Sequence, residues 1–378
     1  MPNGRWKMAV LAVLPASLAI GMVGTAEAAV TANANAQAST SSPPLTAAAM
    51  LAGKRAAPLG ARVTAEDALK AYWTPARMKA ARPADDQASV KDAARVTEKS
   101  AASEIATARR EAAVGGRPEN VGPPAKVTPT DALKSSPALK ASGASRLQYT
   151  PGYQYWEFAA RTSGKVYFTN TQDGYNYVCS GTIVNSGGKD MVWTAGHCVH
   201  GGAGGNWHAN WVFVPSYTNG WAPYGYWYAS QLWTKSAWIN SSESESDMAV
   251  AIVGTNYGYH IVDYLGGQGI TWNQSKHIGT TVLGYPAASP YDGQSLQACN
   301  GTTFPEWEFL WWSADIIGLH NCNLTGGSSG GGWLAFFDGE AGYLDGNTSF
   351  KYNNDPNTIY SPYFGDRAAS LYDTTKSL

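Results

Sequence analysis

Three tracts in the second half of this 378-residue sequence carry side chains suited to acyl-transfer chemistry. Thr194-Ala195-Gly196-His197-Cys198 offers an imidazole, Ser246-Asp247-Met248-Ala249-Val250 a carboxylate just before an apolar run, and Gly327-Ser328-Ser329-Gly330-Gly331 a hydroxyl among glycines. A serine hydroxyl has far too high a pKa to attack a carbonyl at neutral pH unless a neighbouring imidazole takes its proton during attack. His197 fits that task, with Ser329 as nucleophile. A buried carboxylate, Asp247, would fix the imidazole tautomer and stabilise the imidazolium that forms. Asp263, within Ile261-Val262-Asp263-Tyr264, is the fallback acid. The developing oxyanion needs two converging backbone N–H donors, and a chain bent tightly enough to aim them favours residues without a Cβ. The amides of Gly327 and Ser329 are the candidates, each supplying about 2.7–4 kcal/mol of barrier lowering by analogy with a measured donor. No metal or organic cofactor is required. A lone Gly-Ser-Ser-Gly-Gly is usually a flexible loop and a lone Asp before a strand a turn residue; combined with the whole Thr194–Cys198 tract, in the order His, Asp, Ser, they favour the catalytic reading.

The elements that must position these groups are short alternating runs separated by Gly, Asn, Ser and Asp. Lys165–Phe168, Ser180–Val184, Asp190–Thr194, Trp211–Val214 and Met248–Val253 read as strands, with few candidate helices between them. The spacing predicts an all-β barrel or sandwich over residues 147–378, long enough to bury a sizeable core.

The tracts around His197 and Ser329 resemble those of the chymotrypsin-like serine peptidases, whose hallmarks are TAGHC around the histidine and GDSGG around the serine. The likeness covers roughly residues 150–370 and by texture is nearest to secreted bacterial members, including the branch that holds glutamyl endopeptidases. It implies a double antiparallel β-barrel, six strands each, with the catalytic groups in the cleft between, acting on protein or peptide substrates. Four cysteines allow three connectivities. Nearest-neighbour pairing joins Cys179 to Cys198, tying the histidine turn to the preceding strand as in the resembling family, and Cys299 to Cys322, bracing the segment that enters the nucleophile loop. Each is worth about 3 kcal/mol in the chain-entropy model. The spacings lack the close CxxC pairs of common zinc sites.

Two departures matter. Six residues before the nucleophile, where the trypsin branch has an Asp that selects Lys or Arg, this chain has Asn323, and a neutral amide cannot neutralise a buried cation. Immediately before the nucleophile, where animal zymogens have an Asp that pairs with the freshly cut N-terminus, stands Ser328, so activation would mean removing a covering segment. The resemblance also implies a substrate-pairing strand about twenty residues after the serine, matched best by Gly346-Asn347-Thr348-Ser349-Phe350 followed by Lys351. Asn323, Ser349, Lys351 and His320 are the candidate pocket residues. Lys351 or His320 would favour an acidic residue before the scissile bond, as in glutamyl endopeptidases; a large hydrophobic preference is the alternative.

The rest of the chain is of a different kind. Residues 1–146 hold three of the 45 aromatics and none of the Cys or His, and carry 19 Lys+Arg against 11 Asp+Glu, whereas residues 147–378 carry 8 against 17. A uniformly basic nucleic-acid binder is excluded, since the half able to build a core is acidic. Residues 1–28 read as an export signal, with Arg5 and Lys7, an apolar run from Met8 to Val23 and Ala26-Glu27-Ala28. No second stretch is long enough to span a bilayer, so a secreted, extracellular protein is expected, one that leaves the membrane once the signal is removed. Residues 29–146 are poor in large apolar side chains and are expected to be largely disordered, apart from a capping box at Thr64 and Asp67 with a stripe of Leu69, Tyr72 and Trp73, and a second start at Thr74-Pro75. The opposed charges suggest a pro-segment that docks on the acidic domain and inhibits it, with a cut near Arg146, the alternative being a linker or stalk. A monomer is expected.

His200, His208, His260, His277 and His320 show no ligand spacing, and Glu243, Glu245 and Asp247 read as a solvated loop rather than a calcium site. Trp221, Tyr224, Tyr226, Trp227 and Tyr228 suit packing more simply than a carbohydrate or peptide groove. The sequence therefore reads as a secreted serine endopeptidase, made as a zymogen. Its rivals are a catalytically silent binding module on the same scaffold and an esterase with the same nucleophile.

Overall fold

The computed structural model describes residues 37–43, 64–84, 124–126, 157–307 and 313–378. The expected signal, residues 1–28, and much of 29–146 lie outside the described residues. Three pieces of the latter are described, and all of them lie against the barrel region. Strand β1 (Ser39–Ser41) adds to a barrel edge. Helix α1 (Ala65–Tyr72) begins with the capping box expected from the sequence: Asp67 N donates to Thr64 Oγ1 at 3.1 Å and Thr64 N to Asp67 Oδ2 at 3.4 Å. Helix α2 (Pro75–Lys79) starts from Thr74, whose hydroxyl accepts from Arg77 N, with Pro75 in the first turn where its missing N–H costs nothing. Strand β2 (Arg82–Pro83) follows. Leu69 and Trp73 of the expected stripe are buried.

After the short helix α3 (Phe158–Thr162), six strands form the first barrel: β3 (Ser163–Thr169), β4 (Asn176–Ile183), β5 (Met191–Thr194), β6 (Ala209–Pro215), β7 (Trp227–Lys235) and β8 (Ala249–Val253). Their order is β7-β6-β3-β4-β5-β8, all antiparallel, and β7 pairs again with β8 to close the ring. Side chains alternate between two faces. Val166 and Phe168 of β3 join Ile183, Val192, Phe213 and Leu232 in one cluster. Tyr167, between them, turns to the other, where Trp193, Val212 and Val250 meet Leu283, Leu334 and Phe364 of the second half. Both faces of the strands are thus covered, which is why β3 is buried at all seven positions.

Helix α4 (Ser236–Ser241) lies between β7 and β8, and α5 (Ile261–Leu265) leads to the second half. Its strands are β9 (Gly269–Ile270), β10 (Gly279–Gly284), β11 (Gln297–Thr302), β12 (Phe304–Trp307), β13 (Ser313–His320), β14 (Gly332–Ala335), β15 (Tyr343–Asn347) and β16 (Thr358–Pro362), followed by helix α6 (Asp366–Thr375). The fold is the double-barrel type, but the second half is two sheets rather than one continuous ring: β11-β10-β14-β15-β9 and β12-β13-β16, around Val282, Ile317, Leu319, Trp333 and Ile359. The Cys299–Cys322 disulfide, with Cα atoms 5.5 Å apart, ties β11 of one sheet to the residues just after β13 of the other, covalently joining two sheets that share no ladder among the described residues. Among the described residues no helix is long and apolar enough to cross a membrane.

Candidate active site

Strands β5 and β8 are antiparallel neighbours with Thr194 opposite Ala249. The residues just after β5 and just before β8 therefore share one end of the barrel, and this brings His197 to Asp247 across fifty positions of sequence. His197 lies in a single 3-10 turn, Gly196–Cys198, and Asp247 follows another, Ser244–Ser246. Asp247 Oδ1 accepts from the backbone N of His197 at 2.8 Å, and Oδ2 lies 2.8 Å from His197 Nδ1. One carboxylate thus holds both the main chain and the ring of the histidine, which favours the tautomer with Nδ1 protonated and leaves Nε2 on the far side of the ring without that proton. A Cβ on Gly196 would come 2.9 Å from Asp247 Oδ1, so glycine is what lets the carboxylate approach. Both side chains are buried.

The carboxylate is held from its other side. Ser349 Oγ donates to Asp247 Oδ2 at 2.5 Å, and Asn347 Nδ2 donates to the Asp247 carbonyl at 3.1 Å while its own Oδ1 accepts from Trp193 Nε1. His208 is wholly buried, stacks on Phe168 and lies with Nε2 3.0 Å from the His197 carbonyl. Burial pushes its pKa down from 6.5 to about 3, so it is neutral and donates that bond.

Ser329 sits in the turn that enters β14. The Gly326 carbonyl accepts from Ala287 N at 2.6 Å and Ala288 N at 3.2 Å, and the Ser328 carbonyl accepts from Gly331 N at 2.9 Å. In a trans peptide the N–H points opposite the preceding carbonyl. Fixing those two carbonyls therefore fixes the directions of the Gly327 and Ser329 N–H groups, the pair expected to face an oxyanion. Gly327 has φ 96° and Gly330 φ 80°, conformations that favour glycine. Ser180 of β4 anchors the turn. Its N donates to the Ser329 carbonyl at 2.7 Å and its Oγ to the Gly327 carbonyl at 2.9 Å, while that Oγ accepts from Tyr285 N. Ser328 Oγ is tied within its own turn to the Thr325 carbonyl at 2.7 Å.

The other expected residues have the following partners. Asp263 pairs with Lys189 on the surface, 2.9 Å apart, away from His197. Strand β15 ends at Asn347, short of the expected Phe350, and just beyond it Ser349 turns its hydroxyl onto Asp247. Asn323 Oδ1 accepts from Tyr291 OH at 2.7 Å. Lys351 Nζ donates to the Pro356 carbonyl at 2.6 Å, and the exposed His320 stacks on Phe304 with Nδ1 3.0 Å from Thr358 Oγ1. Nothing in the sequence pattern marks Ser180, Asn347 or His208 as site residues. For Ser180 the available signal was its place beside Cys179, whose bond to Cys198 lays β4 along the histidine turn. Cys179 and Cys198 lie close to His197, but their sulfurs are bonded to each other and are not thiolate ligands for a metal.

No family model matches the chain, nor does any curated protein. Among solved structures the chain is similar to the protease Anisep from Arthrobacter nicotinovorans, with 36% identity over 58% of this chain and 97% of that one and a TM-score of 0.53. It is similar to the same degree to a thermostable serine protease, AL20, from an extremophilic microorganism, with 35% identity over 58% of this chain and 99% of that one and a TM-score of 0.54. A Glu endopeptidase matches at 17% identity over 63% of this chain and 96% of that one, with a TM-score of 0.46. A fold of this type around an aspartate-bound histidine defines a class of hydrolase. The chain belongs to the chymotrypsin-like serine proteases.

Proposed function

We propose that this serine protease is a secreted endopeptidase that cleaves peptide bonds through an acyl-enzyme on Ser329, with His197 as general base and Asp247 as its orienting carboxylate. The observation that carries the reading is the two-point hold of Asp247 on the ring and backbone of His197. In acylation, Ser329 Oγ attacks the scissile carbonyl carbon as His197 Nε2 takes its proton. The carbonyl oxygen becomes an oxyanion facing the amides of Gly327 and Ser329. His197 then returns the proton to the leaving amine as the C–N bond breaks. Water, deprotonated by the same imidazole, attacks the ester to release the acid and restore Ser329. Each step balances with protein groups and water alone.

Asn323, expected in the pocket from the resemblance, supports a preference for a residue other than Lys or Arg before the scissile bond, because its amide supplies no countercharge. An acidic preference would draw on Lys351 or His320, released from the Pro356 carbonyl and Thr358 respectively. A peptide-library profile checks both points: a basic preference overturns the first, and a profile without acidic preference, or one unchanged in Lys351→Ala, overturns the second. Residues 29–146 would act as an inhibitory pro-segment, removed by a cut near Arg146, which N-terminal sequencing of the processed protein locates.

The decisive experiment is labelling with a fluorophosphonate and location of the adduct by mass spectrometry, with Ser329→Ala alongside. An adduct on Ser329, absent from the variant, is expected. A folded, processed protein that stays unlabelled makes the domain a silent binding module. Turnover of simple esters without peptide hydrolysis makes it an esterase.

A further inference from the structure

We infer that residues 64–84 are a built-in inhibitory module that occupies the strand edge beside Ser329, keeping polypeptide substrates off it until the module is removed. This rests on reading Ser329 as the nucleophile. The edge in question belongs to β4. Strand β5 covers that strand only at Thr182 and Ile183, and nearer its start, at Tyr177 and Val178, β4 is paired instead by Arg82 and Pro83 of β2, running parallel to it. Val178 is two residues from Ser180, whose N–H holds the Ser329 carbonyl, and one from Cys179, which is bonded to the neighbour of His197. At about 3.3 Å per residue, β2 ends within roughly 7 Å along the strand of the residue that anchors the nucleophile.

An extended peptide that reaches a cleft beside a strand edge gains its affinity by adding to that edge. Here the place is taken. Ala84, the residue that follows β2, is fully buried, so the segment is seated down to its last described position. Arg82 stacks its guanidinium over the Tyr175 ring at 3.8 Å.

A two-residue strand would not hold this position by itself, and the module supplies an anchor. Trp73 is buried, its indole N–H donates to the Asn210 carbonyl at 2.7 Å, and its ring packs against Tyr167 at 5.6 Å. The neighbouring Tyr72 hydroxyl donates to Asn176 Oδ1 at 2.8 Å. The capped α1 and α2 set the spacing between this anchor and β2. Because the module is part of the same chain, it competes with substrate at a high effective concentration until the connection is cut.

The test uses the full chain, its length verified by mass spectrometry before and after each assay, as wild type, as Trp73→Ala to remove the anchor, and as Ala84→Trp to force β2 off β4. Thermal unfolding reports whether each is folded, fluorophosphonate labelling reports Ser329, and initial rates on casein report access for a polypeptide. Ser329 is expected to label in all three chains, with casein cleaved at least about tenfold faster by each variant than by wild type. Equal casein rates in wild type and a folded variant overturn the module and leave the nucleophile in place. Loss of folding in both variants would make the segment part of the enzyme's own architecture and also overturns it. Absence of labelling in every chain, including one from which the segment has been cleaved, overturns the nucleophile itself and the inference with it.

Discussion

At the scale of single residues, the site turns on how many groups hold one carboxylate. Asp247 orients His197 only while it remains an anion that accepts from Nδ1, from the backbone N–H and from Ser349. Asp247→Asn replaces an acceptor by an amide that can present N–H to Nδ1 and favour the wrong tautomer; kcat is expected to fall by about 10⁴-fold, as for the same change in the triad template, with the fold intact by circular dichroism. Ser349→Ala removes one hydrogen bond to a charged group, worth about 1.5–3 kcal/mol, so kcat/KM is expected to fall roughly tenfold to a hundredfold with little change in KM. An unchanged kcat would return Ser349 to the pocket role expected from sequence. His197 and Ser329 stand out in the sequence because of the tracts around them; the hydrogen bond from Ser349 to Asp247 does not, because spacing gives a residue's position along the chain but not the direction of its side chain.

At the scale of elements, the β5–β8 ladder brings together residues fifty positions apart, and the turn after β5 is stiffened from behind by His208. Its imidazole, ordinarily titrating at 6.5, is held at about 3 by burial. Between those pH values the unfolded chain binds a proton that the folded chain does not, so this group's contribution makes stability fall as pH drops, by at most about 1.4 kcal/mol per unit. His208→Gln keeps an N–H for the His197 carbonyl but cannot titrate. In a Ser329→Ala background, to prevent self-digestion, its urea midpoint should fall less than that of the parent chain between about pH 7 and pH 5; parallel losses would exclude His208 as the source. The strands of the first barrel were legible because alternation with β-branched and aromatic residues marks half-buried ladders. The two-residue strands β2 and β9 were not, since two residues carry no periodicity. The five-residue helix α5, over Ile261–Leu265, read only as an irregular apolar stretch. The open side of the second half lies beyond sequence pattern altogether, because which strands share a ladder is decided by long-range pairing.

At the scale of the whole molecule, the sequence suggests docking by opposite charge, yet the described contacts of the N-terminal pieces are mainly apolar and hydrogen-bonded. Among the described residues Lys126 pairs with Asp338 and Glu340, but these pairs are exposed and hence worth little. Another tie is at Lys235, a lysine with no exposed surface whose Nζ donates to the Gln37 carbonyl, to Ser39 Oγ and to Ser370 Oγ at 2.7 Å. It thereby fastens the N-terminal strand β1 to the C-terminal helix α6. Its acceptors are neutral, so burial, helped by the charge of Arg367, pushes its pKa down to about 7. The sign follows from linkage: the unfolded lysine keeps its proton up to 10.5, the folded one gives it up near 7, so across that window the unfolded state binds more protons and stability rises with pH. Below about 7 both states are charged and the folded chain bears the cost of a buried ammonium. Lys235→Met removes the titration and leaves an apolar side chain of similar length in its place. In the Ser329→Ala background, the wild-type lysine should therefore show a larger gain in unfolding free energy, read from urea titrations, between about pH 7 and pH 9 than the methionine variant, by no more than about 1.4 kcal/mol per pH unit. Equal gains would mean that the ammonium stays charged in the folded protein, its three acceptors replacing the water it has lost, and that the tie between the two ends of the chain does not depend on pH.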